Sequence, residues 1–186
     1  SLLESKGYDP LVYRFFCLQS HYRKTLTFSF EALDNATVAY NKLIAKIAAL
    51  KADDSQQTDE AALEALREKF NKAMWNDLNT SLAITALYDV LKYKTNDKTK
   101  LLLLDEFDQV LSLDLLKAAA EVKKKAEEEA AKKLEGVDPE ILALVEERTA
   151  AKKAKNFARA DEIRDMLKER GITLKDTPQG VEIIKE

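Results

Sequence analysis

The stretch N-F-A-R-A-D-E-I-R-D-M-L-K-E-R-G-I-T-L-K-D-T-P-Q-G-V-E-I-I, Asn156 to Ile184, changes its period halfway along. In its first half apolar residues recur at helical steps, Phe157, Ala160, Ile163 and Leu167, between a capping Asn156 and Gly171, which stops a helix. Its second half sets two β-forming runs, Ile172 to Asp176 and Val181 to Ile184, around Thr177-Pro178-Gln179-Gly180, with Pro and Gly where a turn wants them. The spacing predicts a helix over 157–170 and then a β-hairpin. A lone hairpin is unstable in water, so its apolar face is expected on the two preceding helices, making one small α/β module.

Upstream, Gly136-Val137-Asp138-Pro139 ends one helix and starts another over 139–153, with Asp138 as cap and Pro139 at the first helical position. This is the expected domain boundary, and the module is 138–186. Before it, 117–137 is almost entirely Ala, Glu and Lys, with Glu128–Lys132 and Glu129–Lys133 at i,i+4; without a sustained apolar seam it reads as a solvated helical connector. Residues 1–116 read as an antiparallel helical bundle. Its helices are expected over Pro10–Tyr22, from a cap at Ser29 to Lys51, after the polar loop Ala52–Asp59, after Asn79-Thr80-Ser81, and over Lys98–Val110. In the second of these Leu33, Ala36, Val38, Leu43, Ile44, Ile47 and Leu50 are assigned to the buried stripe. The fold class is therefore mainly α: a bundle, then two helices and a hairpin.

Composition narrows the function. The 186 residues are 46% hydrophobic and 34% charged with 4 Gly and 3 Pro, which excludes a many-stranded sheet. A net charge of -3 excludes coating of nucleic acid by bulk charge and leaves only a regional basic face. The single Cys17 permits no internal disulfide and no cysteine-based zinc site, consistent with a cytoplasmic setting. The longest apolar run, Leu101–Leu104, is too short for a membrane span, and the start at Ser1 suggests a piece of something larger. There is no Walker loop, dinucleotide fingerprint, H-E-x-x-H or serine elbow, and His21 is the one histidine, so no independent catalytic or metal site is read.

Between Arg148 and Arg164 six basic residues, Arg148, Lys152, Lys153, Lys155, Arg159 and Arg164, face two acids, Asp161 and Glu162. Such a cluster binds phosphates, and Phe157 among it could stack an unpaired base. Its helical phase instead assigns Phe157 to the core and the cations to a solvated face. Asp161 and Asp176 could accept from base amines, whereas Asp161 could equally pair with Arg164 or Lys168 and Asp176 merely open the turn.

Three blocks carry a family resemblance. The string E-R-T-A-A-K-K-A-K-N-F-A-R-A-D-E-I-R-D from Glu147, followed by G-I-T-L-K-D-T-P-Q-G from Gly171, resembles the C-terminal signature of cysteinyl-tRNA synthetases. G-Y-D-P-L-V-Y-R-F-F from Gly7 and H-Y-R-K-T-L-T-F-S from His21 resemble the segment beyond that family's second ATP-site loop, and F-N-K-A-M-W-N-D-L-N-T from Phe70 resembles its helical, DALR-like anticodon-binding domain.

The resemblance implies a class I synthetase that charges the tRNA of cysteine identity, anticodon G-C-A, using ATP and a catalytic zinc. Both cofactors belong to a catalytic domain preceding the matched region, so this chain is expected to hold no cofactor, to be inactive alone and to be a monomer. The family's anticodon-contacting positions match Lys152, Phe157, Asp161 and Asp176. Tyr22, Arg23, Arg148, Lys155 and Arg159 are candidates for the tRNA backbone. Lys152 stands where Arg is frequent and loses the planar fork, Phe157 replaces a frequent Trp, and Val181-Glu182-Ile183-Ile184 lacks an aromatic that often follows. Two alternatives are a structural helical protein-interaction module without RNA specificity and a related ligase that joins cysteine to a small molecule. The terminal module has no evident purpose in the latter. The module is also expected to move about Gly136 when no RNA is bound.

Overall fold

The computed structural model describes residues 2–51, 53, 55–134, 139–177 and 180–185, with backbone alone for 130–134, 139, 142, 153, 175–177 and 180–185. The helices are α1 (Leu2–Ser5), α2 (Pro10–Leu18), α3 (Phe30–Ala48), α4 (Glu60–Trp75), α5 (Thr80–Lys92), α6 (Asp97–Leu111), α7 (Leu115–Leu134), α8 (Pro139–Lys153) and α9 (Phe157–Glu169). Strands β1 (Ile172–Thr177) and β2 (Gly180–Lys185) pair antiparallel. The chain divides within α7 into two compact units, Ser1–Lys125 and Ala126–Glu186.

Most of these helices begin where a side chain can satisfy an orphan amide. Asp9, Ser29, Asp59, Asn79, Asn96 and Asn156 each accept from a backbone N–H in the first turn of the helix they precede. Two caps are also tied together. Thr99, fully buried, donates its hydroxyl to Asn96 and accepts from the Asp59 N–H at 2.9 Å, while Thr95 donates to the Asp59 carboxylate at 2.9 Å. The starts of α4 and α6 are thus fixed to one another.

In the first unit α5 is the central helix, packing on α2, α3, α4 and α6. Its inward residues include the small Ala83 and Ala86 beside Leu87 and Val90, and small side chains let neighbouring helices approach closely. Phe70 of α4 and Phe107 of α6 stack with centroids 4.1 Å apart. The α3 stripe departs from expectation at three positions: Val38 is exposed, Tyr40 is buried, and Leu50 is half-buried beyond the helix, which ends at Ala48 and not near Lys51. Tyr40 lies four residues from Ala36 and three from Leu43, in phase with the buried face, and its hydroxyl donates to the Leu113 carbonyl at 2.7 Å.

That bond belongs to a heavily constrained turn between α6 and α7. Ser112 and Asp114 both adopt left-handed backbone, with φ of 52°. Asp108 compensates by accepting from the N–H groups of Leu113 at 2.6 Å and Leu115 at 2.7 Å, and Arg14 of α2 donates to the Leu111 carbonyl at 2.7 Å. Helix α7 therefore starts earlier than expected and buries Leu115 and Ala119 in the first unit's core. Its opening turns are packed, not a solvated connector. Helix α2 is correspondingly shorter than expected, ending at Leu18, because the following segment is drawn off: Thr80 donates to the Ser20 carbonyl at 3.4 Å and Asp77 holds Tyr22.

In the second unit Ile163, Leu167 and Ile172 form the buried core, with Ile141, Leu144, Val145 and Leu174 packed around it. Helix α8 packs on α9, and α9 on β1. Gly171, at φ +70°, supplies the left-handed residue that ends α9. The strand register runs from Ile172 opposite Lys185 to Thr177 opposite Gly180. Expectations for Gly136, the Asp138 cap, the turn residues Pro178 and Gln179, and the Glu128–Lys132 and Glu129–Lys133 pairs lie outside the described residues or side chains.

Candidate nucleic-acid interface

The turn joining α8 to α9 shapes the basic corner of the second unit. The Asn156 N–H donates to the Ala151 carbonyl at 2.8 Å and the Lys155 N–H to the Lys152 carbonyl at 3.0 Å, the paired bonds of a Schellman cap. The left-handed position, usually glycine, is Lys155 at φ 58°. A lysine there costs about 1 kcal/mol relative to a relaxed backbone. Its side chain is exposed and forms no ion pair with any described residue. Lys152, one turn earlier, is also exposed.

Phe157 follows as the first residue of α9 and is 62% exposed, although Ala160, Ile163 and Leu167 of the same apolar series are buried. The core assignment from helical phase is therefore overturned. A helical side chain leans back over the turn before its own Cα, and a first-turn residue has no preceding turn to cover. Asp161, one turn on and exposed, accepts from Arg164 at 3.2 Å, the local pairing anticipated as one of its two roles. A pair this exposed contributes little to stability and leaves a carboxylate that can change partner.

The remaining cations divide. Arg148 is only 3% exposed, which corrects its assignment as an RNA-facing residue. It continues the series Ile141, Leu144, Val145 along the inner face of α8, where its aliphatic stem adds apolar surface, and it is engaged within the protein. Arg159 joins the two helices, contacting Glu147 of α8 at 2.8 Å and Glu162 of α9 at 3.0 Å. Glu162 first and Glu147 second hold its guanidinium pKa above the usual range. Asp176 lies in β1 opposite Val181, and its side chain is outside those described.

The first unit presents Tyr22 and Arg23 around a residue that sequence reasoning missed. Asp77 accepts from the Tyr22 hydroxyl at 2.7 Å and from Arg23 Nη2 at 3.0 Å, Arg23 Nε donates to the Tyr22 hydroxyl at 3.0 Å, and the His21 ring stacks on Tyr22 with centroids 4.9 Å apart. The Tyr22 hydrogen bond, then Arg23, holds the Asp77 carboxyl below its ordinary pKa, and the same bond raises that of Tyr22. Asp77 and Leu78 are both left-handed, at φ 56° and 52°, just beyond the Asn76 cap that follows Trp75, which is 79% exposed. The residues between α4 and α5 carry no glycine to announce such a turn. Only the local string M-W-N-D-L-N-T marked the region.

Among the described residues no group of three or more His, Cys, Asp or Glu side chains is disposed to hold a metal ion. None of the described helices is long and apolar enough to cross a membrane.

Two domain families match in succession. Residues 69–137 match the DALR domain, and residues 134–183 match the cysteinyl-tRNA ligase anticodon binding domain. The cysteine-tRNA ligase of Brevibacillus brevis is 39% identical over 95% of this chain and 39% of its own length. That of Shouchella clausii is 39% identical over 94% of this chain and 38% of its own length. That of Staphylococcus aureus strain MRSA252 is 36% identical over 95% of this chain and 39% of its own length. The chain thus spans about two fifths of the length of these curated relatives. With both domains in order and relatives aligned along nearly all of it, the chain belongs to the cysteinyl-tRNA synthetase family and corresponds to that family's C-terminal region.

Proposed function

We infer that this chain binds tRNA of cysteine identity and reads its anticodon with the corner between α8 and α9, as the tRNA-holding part of a protein that charges tRNA with cysteine. The observation that carries the reading is Phe157: an aromatic face 62% exposed, beside exposed Lys152 and Lys155 and one turn from an exposed carboxylate, within the anticodon-binding match. Each group has a distinct task. Phe157 stacks on an unpaired base, a contact worth about 1–3 kcal/mol. Asp161, released from Arg164, accepts from a base amine, and Asp176 supplies a second acceptor. Lys152 and Lys155 bind phosphates, as do Tyr22 and Arg23 at a site of their own on the first unit.

In this reading ATP and zinc act in the portion of the relatives that the alignment does not cover, and the chain alone is a monomeric, cytoplasmic RNA-binding protein that retains tRNA without charging it. Fluorescence anisotropy with a cysteine tRNA transcript and an anticodon-changed control tests it. Tighter binding to the G-C-A anticodon supports the reading; equal or absent binding to both refutes it and favours a structural helical module.

A further inference from the structure

The anticodon reading uses only the first two turns of α9, yet the exposed series begun there continues to the end of the helix. Phe157, Asp161, Arg164 and Lys168 follow one another at steps of four, three and four residues, which at 100° per residue keeps them on one stripe. All four are exposed, and the stripe runs beside the buried series Ala160, Ile163 and Leu167. Its chemistry is ordered: a stacking face, an acceptor, then two cations. Arg164 lies between Asp161 at 3.2 Å and Asp165 at 3.6 Å, both exposed carboxylates that a phosphate can replace as partners. Lys168 makes no ion pair with any described residue.

We propose that Arg164 and Lys168 form a phosphate-binding track that continues the RNA path along α9, engaging the sugar-phosphate backbone of the strand flanking the bases read at Phe157 and Asp161. The proposal rests on the anticodon reading for its ligand and adds two RNA contacts that carry affinity without sequence discrimination. The division of labour follows from charge. A guanidinium and an ammonium bind phosphates whatever base is attached, whereas the carboxylate discriminates between base edges.

The test measures binding of the full chain to a cysteine tRNA and its anticodon-changed control across a salt series, for wild type, Arg164→Gln, Lys168→Gln and Arg170→Gln. Arg170 is the charge-matched comparison, since it pairs at 3.0 Å with Glu140 of α8. Loss of one phosphate contact lowers the slope of log K against log salt by about 0.7–0.9. The expected result is that decrease for Arg164→Gln and Lys168→Gln, with Lys168→Gln weakening both RNAs by the same factor and Arg170→Gln leaving the slope unchanged. Unchanged slopes in the two track variants, or an equal fall in Arg170→Gln, overturn the track. Wild-type binding without anticodon preference refutes the anticodon reading while the slopes still decide the track; no wild-type binding refutes both. Far-ultraviolet circular dichroism verifies that each variant is folded.

Discussion

Replacing Phe157 with alanine separates a core residue from an RNA platform, because the two roles predict opposite pairs of results. A phenylalanine presents roughly 200 Å² when free, and at 62% exposure roughly 80 Å² of Phe157 is hidden. At about 25 cal/mol per Å² the ceiling on its burial is about 2 kcal/mol, and alanine retains the backbone and Cβ share, leaving a loss of about 1 kcal/mol. Ile163→Ala, at a fully buried position in the same helix, is expected to cost about 2–5 kcal/mol. Urea unfolding followed by the helical signal compares the two within one transition of the second unit. RNA binding should move the other way. Loss of one stacked base, about 1–3 kcal/mol, weakens tRNA binding by about 5- to 150-fold, whereas Phe157→Trp enlarges the platform and tightens it. If Phe157→Ala destabilises as much as Ile163→Ala while tRNA affinity is unchanged, the platform argument is wrong.

Other perturbations probe the frame. Lys155→Gly removes the left-handed strain and should stabilise the second unit by about 0.5–1 kcal/mol in thermal unfolding, yet weaken tRNA binding about threefold or more if its ammonium meets a phosphate. Asp108→Ala leaves the Leu113 and Leu115 amides without their carboxylate and should cost roughly 2–4 kcal/mol by urea titration, whereas Asp105→Ala on exposed α6 surface should cost under about 0.5 kcal/mol. Burial raises the Tyr40 hydroxyl to about 12 from an ordinary 10.0. Because the folded value lies above the unfolded one, that contribution is complete below pH 10, fades towards pH 12, and should be absent from the alkaline limb of the stability curve of Tyr40→Phe.

Local rules made the helix starts readable. Asp9, Ser29, Asp59, Asn79, Asn96 and Asn156 lie next to their helices, and a cap needs no information from farther along the chain. The turn at Gly171 and the paired β runs were readable for the same reason. Failures fell where specific side-chain contacts, some of them distant, override the local pattern. Tyr22 leaves the helical register because Asp77, 55 positions away, accepts its hydroxyl, and Tyr40, in phase with the buried face, keeps its hydroxyl satisfied there only because the Leu113 carbonyl, 73 positions away, accepts from it. Ser112 and Asp114 adopt left-handed backbone without glycine, under the hold of Asp108. At the candidate site, residue types were legible from the string around Asn156, but which cations face outward was not. Arg148 lies on the inner face of α8, Arg159 is clasped by two glutamates, and Phe157 escapes its apolar series only by standing at the first position of α9.

The most direct test of the central claim is a double-mutant cycle between Asp161 and the anticodon. Binding constants are measured for wild type and Asp161→Ala, each with the G-C-A transcript and with one whose anticodon is changed base by base. If Asp161 accepts from a base amine, one substituted base should show a coupling of about 1–3 kcal/mol, its preference vanishing in the variant while the others persist. Additive effects at every anticodon position would mean that this carboxylate reads no base.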